Sequence, residues 1–286
     1  MKLATAVLDG REAAVLIEEE RGVVAVDRVV DGRFPTALEV LARFPAPELA
    51  DRLADVADAG FRPEQDVRFT APYRRPRKIW GIGLNYVEHA ADLNAPKPTS
   101  PASFIKGDHT IIGPAEEIPL PWQSGRVTAE AEMGLVIGRL CRDVEPAEAL
   151  EYVWGVVPVL DQTAEDILAE NPRFLTRSKN FPGFFSFGPH IVPMGEVLAA
   201  FGEIGAVTVT TVNNAQVHRT NTVTNMMFSP EHLVSFHSQM MPLFPGDIIS
   251  TGTPGAVRVH PGDVAECRID GIGTLRNPVV AGPARR

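Results

Sequence analysis

Short stretches of β-branched and other apolar residues, separated by prolines and glycines, follow one another through most of this chain. The clearest of them predict strands at 78–83, 132–137, 153–160, 206–212, 247–250 and 263–269. The chain of 286 residues contains 25 prolines and 24 glycines, and both residue types are costly inside helices and common in turns. The pattern therefore predicts a predominantly β protein with many loops.

The N-terminal part has a different pattern. Strand-like segments within 2–30 are followed by a predicted helix at 46–59, where leucine and valine recur at helical spacing. Three prolines and the lack of any regular period make 62–76 a predicted linker. We therefore expect a small α+β domain at 1–72 and a larger domain at 73–286, which gives an α+β fold that is predominantly β.

Few helices are expected in the larger domain. Ser229 is a favourable N-cap and Pro230 a favourable first helical residue, so a helix is predicted to begin there. Shorter helices are predicted at 146–152 and 162–170.

Charge and composition exclude several classes of protein. The chain has 27 basic and 36 acidic residues, a net charge of −9 and a pI near 5.3, so a nucleic-acid groove is not expected. Apolar runs are too short to span a bilayer, and the first residues do not form a signal peptide. Cys141 and Cys267 do not make a disulfide framework. We expect a cytoplasmic protein that binds neither nucleic acid nor membrane.

Three acidic residues lie in or beside predicted strands. In Glu130-Ala131-Glu132 the glutamates are two positions apart, so on a strand both side chains point to the same side. Asp161 follows the apolar run 153–160, where an unpaired carboxylate is costly. A hard divalent cation prefers oxygen ligands and would stabilise such a group. Two alternatives stay open, a solvated strand face for the glutamates and a helix cap for Asp161.

A lysine and a histidine–aspartate pair are further candidates for chemistry. Lys179 precedes the aromatic segment 181–189, where an ammonium could stabilise an anionic substrate or an oxyanion, or could simply be a charge on a surface loop. His89 and Asp92 are three positions apart in a predicted helical turn. The carboxylate could therefore orient the imidazole as a base, or the two could form an exposed pair. The prolines of 94–101 indicate a lid segment.

Other site motifs are weak or missing. The turn Thr251-Gly252-Thr253-Pro254-Gly255 follows a predicted strand, and its hydroxyls and backbone amides could bind a carboxylate. The sequence contains no G-x-G-x-x-G, P-loop or G-x-S-x-G motif, so a nucleotide cofactor and an α/β-hydrolase serine are not expected.

In this order along the chain, these segments resemble the fumarylacetoacetate hydrolase superfamily over about residues 78–280. The matching motifs are Lys78-Ile79-Trp80-Gly81-Ile82-Gly83-Leu84-Asn85-Tyr86, His89-Ala90, Phe104-Ile105-Lys106, Glu130-Ala131-Glu132, Val136-Ile137-Gly138, Asp161, Lys179-Asn180-Phe181, Gly188-Pro189, Met226-Met227-Phe228-Ser229, Pro245-Gly246-Asp247, Thr251-Gly252-Thr253-Pro254 and Gly273-Thr274-Leu275-Arg276-Asn277. So many ordered matches are specific for the superfamily, but not for one reaction.

The resemblance implies a fold, a metal and a class of substrate. It implies a mixed β-roll catalytic domain behind a small N-terminal domain, and commonly a homodimer. It also implies Mg²⁺, or alternatively Mn²⁺ or Ca²⁺, held by Glu130, Glu132 and Asp161. The substrates of the family are mostly 2-oxo or 1,3-dioxo acids, so a small oxo acid is the expected ligand.

The resemblance also implies roles for individual residues. In the subgroup with a lid, a histidine and a carboxylate three residues later activate water, and His89 and Asp92 occupy those positions. Lys179 corresponds to a lysine near the substrate. Residues expected to bind the substrate are Lys106, Gly252 and Thr253.

Several positions depart from the common family pattern. A basic residue is usual where Glu165 stands, and an aspartate followed by an aromatic residue is usual at Thr128-Ala129. Asn214-Ala215 replaces an Asn-Gly turn, and Asp92 replaces the more frequent glutamate of the dyad. The metal ligands are unaffected, and the gain of Glu165 disfavours a second substrate carboxylate near it.

The sequence therefore predicts a divalent-metal-dependent hydrolase that cleaves a C–C bond in a 2-oxo or 1,3-dioxo acid of the acylpyruvate or fumarylacetoacetate type. The alternative is a 2-oxo acid decarboxylase or a keto–enol isomerase at the same site. A third interpretation is a relative that binds without catalysis, but simultaneous retention of five candidate site residues argues against it.

Overall fold

The computed structural model describes residues 1–88 and 98–284. Within these ranges the strands are β1 (Lys2–Leu8), β2 (Arg11–Glu18), β3 (Gly22–Ala25), β4 (Arg68–Phe69), β5 (Ile79–Gly83), β6 (Ala102–Lys106), β7 (Ile111–Ile112), β8 (Ile118–Leu120), β9 (Val127–Ile137), β10 (Val153–Ala164), β11 (Phe185–Phe187), β12 (His190–Pro193), β13 (Thr208–Asn213), β14 (Gln216–Thr222), β15 (Ile248–Ser250), β16 (Ala256–Val259), β17 (Val264–Ile269) and β18 (Gly273–Ala281). The α-helices are α1 (Ala37–Leu41), α2 (Ala46–Ala54), α3 (Glu165–Glu170), α4 (Leu175–Lys179), α5 (Met194–Phe201) and α6 (Pro230–Met240). The predominantly β character expected from the sequence is confirmed.

The strands form two sheets. The larger has the order β3-β2-β1-β12-β10-β9-β15-β5-β6, with β4, β7, β11 and β16 attached beside it. The smaller has the order β14-β13-β17-β18-β8. Most neighbouring strands are antiparallel, while β15 with β5, β11 with β7, and β18 with β8 are parallel. The sheets are therefore mixed.

Two long strands, β9 and β10, form the centre of the larger sheet. They pair antiparallel over almost their whole length, and every residue in both is buried. Side chains alternate between two apolar cores. Met133 and Leu135 contribute to a core shared with the smaller sheet, whereas Val136 and Val157 contribute to a core shared with the N-terminal helices. Burial on both faces explains why these strands are nearly continuous in apolar residues.

The N-terminal strands extend the same large sheet. Strand β1 pairs with β12, with Leu3 opposite Ile191 and Ala4 opposite His190, and β12 pairs with β10. Residues 1–72 thus contact the rest of the chain through backbone pairing as well as through an apolar core. The division at residue 72 stays a prediction.

Two predicted helices have different ends in the structure. The segment 162–170 was predicted to be helical throughout, but β10 continues to Ala164 because its backbone pairs with β9 there, and α3 begins only at Glu165. Helix α2 ends at Ala54 rather than at residue 59. The side chain of Arg21 donates to the carbonyls of Leu53 and Val56, which satisfies carbonyl oxygens that a longer helix would have paired.

Other local predictions are confirmed. Ser229 caps α6, its hydroxyl oxygen accepting from the His232 amide at 3.3 Å, and Pro146–Tyr152 is helical, as a 3-10 helix. Cys141 and Cys267 are free and buried. None of the helices in the described ranges combines the length and apolar character that crossing a membrane requires.

Candidate metal and substrate site

Three buried carboxylates meet where β9 and β10 pair. Glu130, Glu132 and Asp161 each offer a ligand oxygen, and these oxygens lie within 4.8 Å of one another. Glu130 and Glu132 share one face of β9, and Asp161 lies opposite Glu130 in the ladder, so the pairing register itself brings the three together. Their exposed fractions are 8%, 1% and 0%. The solvated strand face and the helix cap are therefore both wrong as interpretations of these residues.

Hydroxyl groups and a backbone amide orient the two glutamates. One oxygen of Glu130 accepts from the hydroxyls of Thr163 and Thr128. Glu132 Oε2 accepts from Ser250 Oγ at 2.6 Å and from the Gly252 amide at 2.8 Å. Sequence reasoning missed Thr163 and Ser250. The i, i+2 spacing of Asp161 and Thr163 was a usable signal, but the predicted helix at that point concealed it.

Two lysine side chains lie against the carboxylates. Lys179 Nζ donates to Glu130 Oε2 at 2.8 Å and to Asp161 Oδ2 at 2.7 Å, and Lys106 Nζ donates to Asp161 Oδ1. Lys179 is the last residue of α4 and only 5% exposed, so the surface-loop interpretation is wrong. Its ammonium also lies 5.0 Å from the centre of the Phe104 ring.

The cluster contains fewer positive than negative groups, since two ammonium groups face three carboxylates. Burial raises the pKa of Glu132 to about 8, and repulsion from Asp161 and Glu130 adds to the effect. Burial lowers the pKa of Lys106 to about 8. Burial also opposes the charge of Lys179, but attraction to Asp161 and Glu130 is stronger, and the pKa of Lys179 is raised. Burial and repulsion thus oppose a third negative charge in this all-oxygen donor set, and a hard divalent cation would stabilise that charge.

The predicted substrate turn packs directly beside the cluster. Gly252 has φ +100°, and a Cβ there would lie 2.8 Å from the Cβ of Asn85, so both conformation and space require glycine. The Gly252 amide, expected to be available for a substrate, donates to Glu132. Thr253 is buried, and its hydroxyl donates to the Gly255 carbonyl at 3.2 Å.

Asn85 fixes this turn to the end of β5. Its side-chain amide donates to the carbonyls of Thr251 and Phe228 at 2.8 and 3.0 Å, and its Oδ1 accepts from the Phe228 amide at 2.9 Å. The segment that begins with Asn85 leads toward the predicted lid. His89 and Asp92 lie outside the described residues, so their dyad stays a prediction.

The structure brings the predicted metal ligands together with Lys106, Lys179 and Gly252, and it places Thr253 in the adjoining turn. The roles of Lys106 and Thr253 toward a substrate stay predictions. Chemically, such a site can hold a cation and can offer an ammonium group to a developing negative charge in a largely dry environment.

Comparison with known proteins identifies related sequences and structures. The family model for the fumarylacetoacetate (FAA) hydrolase C-terminal domain matches residues 78–280. The human protein named oxaloacetate tautomerase FAHD2A, mitochondrial, is 32% identical over 238 residues, which cover 80% of this chain and 74% of the human protein.

Two solved structures show the same fold along nearly the whole chain. Fumarylacetoacetate hydrolase from Exiguobacterium antarcticum has a TM-score of 0.83 at 30% identity, covering 98% of this chain and 99% of its own. 5-Carboxymethyl-2-hydroxymuconate delta-isomerase from Mycobacterium smegmatis has a TM-score of 0.78 at 30% identity, covering 99% and 100%. The chain belongs to the fumarylacetoacetate hydrolase family.

Proposed function

We propose that this protein is a divalent-metal-dependent enzyme that acts on a 2-oxo or 1,3-dioxo acid through its enolate. The observation that carries the proposal is the buried cluster of Glu130, Glu132 and Asp161, which two lysines only partly neutralise. Burying so many charges costs folding free energy unless each is paired, and a divalent cation would complete that pairing. Mg²⁺ is the proposed cation, with Mn²⁺ and Ca²⁺ as alternatives.

The residues present suit chemistry on an enolisable acid. A divalent cation held by the three carboxylates would supply Lewis acidity toward the adjacent oxygens of a 2-oxo acid. Two of the three hydrogens of Lys179 Nζ are donated to Glu130 and Asp161. The third would be donated to an oxygen atom that becomes negative during reaction. Burial strengthens these interactions because little water competes for the ammonium.

Two proposed routes pass through an enolate. In C–C hydrolysis, which the sequence favours, His89 oriented by Asp92 removes a proton from water, and the hydroxide adds to the distant carbonyl. The C–C bond then breaks to give one carboxylic acid and an enolate leaving group, which takes up a proton to become the second acid. In isomerisation, tautomerisation or decarboxylation no water attacks, and the enolate forms by loss of a proton or of CO₂ and is then protonated. The second group is favoured by the names of relatives at 30–32% identity, an oxaloacetate tautomerase and a delta-isomerase.

One panel of substrates separates these reactions. Acylpyruvates, oxaloacetate and other β-keto acids would be incubated with the protein and Mg²⁺, while enol absorbance and products are followed. Two acids as products indicate hydrolysis, release of CO₂ indicates decarboxylation, and a changed tautomer of unchanged formula indicates isomerisation. If no oxo acid is converted or bound with any of the three cations, the proposed function is wrong.

A homodimer is proposed as the assembly, on family resemblance alone. Sedimentation equilibrium with and without Mg²⁺ would test it, and a monomeric mass at micromolar concentration would contradict it.

A further inference from the structure

A fourth carboxylate, that of Glu165, lies at the rim of the site. Glu165 begins α3 directly after β10. Side-chain exposure rises from 0% at Asp161 through 11% at Glu130 to 21% at Glu165, and reaches 46% at Arg126, the ion-pair partner of Glu165. Exposure to solvent thus increases from the cluster toward the start of α3 and the loop before β9.

Hydrogen bonds hold this rim in place. The Glu165 amide donates to the Arg126 carbonyl at 2.8 Å. The neighbouring Asp166 accepts from Ser124 Oγ at 2.5 Å and from the Gly125 amide at 2.7 Å. These bonds tie the loop before β9 to the start of α3. The charge of Glu165 therefore has a defined position relative to the cluster.

The negative charge of Glu165 is only partly compensated. Arg126 Nη2 lies 3.5 Å from Glu165 Oε2, and a pair this exposed is weak in water. Burial raises the pKa of Glu165, repulsion from Glu130 raises it further, and Arg126 and Lys179 oppose both effects. Glu165 also follows Thr163 by two residues, and the Thr163 hydroxyl donates to Glu130. The chain path thus places the Glu165 charge beside the cluster, where it would also interact with a bound ligand.

We infer that Glu165 determines specificity, by favouring 2-oxo acids whose distal end is uncharged over those that carry a second carboxylate. The inference rests on the proposed function, because it assumes that an oxo acid binds at the carboxylate cluster. A like charge on the rim disfavours a distal carboxylate without changing how the 2-oxo acid head binds. Arg126 moderates this effect, since it neutralises part of the rim charge.

A purely structural role for Glu165 has different consequences. An acidic residue in the first turn of a helix stabilises that helix. Its loss would then lower stability while leaving the relative affinities of two ligands unchanged. The ratio of two affinities is thus the measurement that separates specificity from stability.

Two probes with the same head group supply that ratio. 2-Oxopentanoate and 2-oxoglutarate have the same chain length and differ in the distal carboxylate. Titration calorimetry with each, in saturating Mg²⁺ at pH 8, gives the dissociation constants. We expect the wild-type protein to bind 2-oxopentanoate more tightly, and Glu165→Gln to reduce the ratio about tenfold, as expected for a partly screened charge pair.

Two further variants sharpen the test. Arg126→Gln removes the compensating charge and is expected to increase the preference for 2-oxopentanoate. Glu170→Gln removes a charge from the same helix at a side chain that is 64% exposed and pairs with Arg177, so it is expected to leave the ratio at the wild-type value.

The outcomes distinguish the inference from the proposed function. If the wild-type protein does not prefer 2-oxopentanoate, or if Glu165→Gln leaves the ratio unchanged, Glu165 does not set specificity, while the proposed function stands. If neither probe binds and no other oxo acid is bound or turned over, the proposed function is wrong and the inference falls with it.

Discussion

Each oxygen of Glu130 and Asp161 accepts a hydrogen bond from a side chain in the described part of the protein. Such bonds fix the direction of the remaining lone pairs, which is how supporting residues orient metal ligands in proteins. Lys179 is the only residue in this set that donates to both carboxylates. It therefore links β9 to β10 through side chains as well as holding a charge in the site.

Replacing Glu132 tests the cation site. Glu132→Gln removes one ligand charge and is expected to abolish stimulation of activity by Mg²⁺. It should also reduce the rise in melting temperature on adding Mg²⁺ or Mn²⁺, because a bound ion stabilises the native state by mass action. Differential scanning fluorimetry across a range of cation concentrations measures this rise.

A matched control for Glu132 is Glu266→Gln. Glu266 is also buried, but its partners are Arg268 and Arg276. This variant should lose stability and keep the full cation-dependent rise. A full rise in Glu132→Gln would mean that Glu132 binds no cation.

Replacing Lys179 separates catalysis from cation binding. In the presence of a chelator, Lys179→Met leaves buried carboxylates with less positive charge, and the free energy of unfolding should fall by about 3 kcal/mol. Turnover with saturating Mg²⁺ should fall on the order of 10²-fold, as when a donor to a developing oxyanion is lost. Cation affinity should change much less than turnover.

The control for Lys179 lies on the same helix. Arg177 is 55% exposed, and Arg177→Met should change neither stability in chelator nor turnover appreciably. Wild-type kinetics in Lys179→Met on every substrate that is turned over would show that its ammonium has no part in the reaction.

At the scale of elements, the pairing of β9 with β10 creates the site, and only part of that pairing was predictable. The same-side geometry of Glu130 and Glu132 follows from spacing alone, and the apolar run before Asp161 correctly indicates a buried strand. The sequence predicts too early an end for β10, because the segment 162–170 also suits a helix. Backbone pairing with β9 keeps residues 162–164 in the strand, and this pairing depends on residues more than thirty positions away in the sequence.

Contacts between distant elements explain the rest of the difference between prediction and structure. Lys106 meets Asp161 across 55 residues, and Ser250 meets Glu132 across 118. No local pattern in a single sequence encodes such distances. Resemblance to a family identified most of the residues involved, but not which of their atoms meet.

Variants in the segment that follows β5 test whether the protein catalyses hydrolysis or one of the reactions without water attack. If water attack is the step, His89→Asn keeps size and polarity but removes the base, and hydrolysis should fall roughly 10²–10⁴-fold. Asp92→Asn should cost less, because the imidazole remains but is no longer oriented. Decarboxylation or tautomerisation should be retained in both variants, which parallel assays with one enzyme preparation would show.

Small and equal effects of His89→Asn and Asp92→Asn on all reactions would refute the dyad. The two residues would then be a surface pair of the helical turn that the sequence predicts.

For the whole molecule, the larger sheet, including its N-terminal strands, meets the smaller sheet at one buried histidine. His190 begins β12, where its backbone pairs with Ala4 of β1. His190 Nε2 donates to the Ile272 carbonyl at 2.7 Å, in the turn between β17 and β18. Protonating this ring would place a buried charge between the two sheets, so folding of the protein as a whole should depend on it.

The charge state of His190 therefore predicts sensitivity of the fold to acid. Burial lowers the pKa of His190 from its usual 6.5 to about 4, although the bond to Ile272 opposes the shift. Between these values the unfolded chain binds a proton that the folded protein does not, so stability is present above pH 6.5 and is lost as pH falls toward 4. Between pH 7 and 4.5 this group should lower the unfolding free energy of the wild-type protein by about 2 kcal/mol.

Urea unfolding of His190→Gln at both pH values tests this prediction. The fall in unfolding free energy between pH 7 and 4.5 should be about 2 kcal/mol smaller in this variant than in the wild type. In the control His260→Gln, at a 61% exposed side chain, the fall should equal that of the wild type. An equal loss in His190→Gln and wild type would show that His190 does not control the acid sensitivity of the fold.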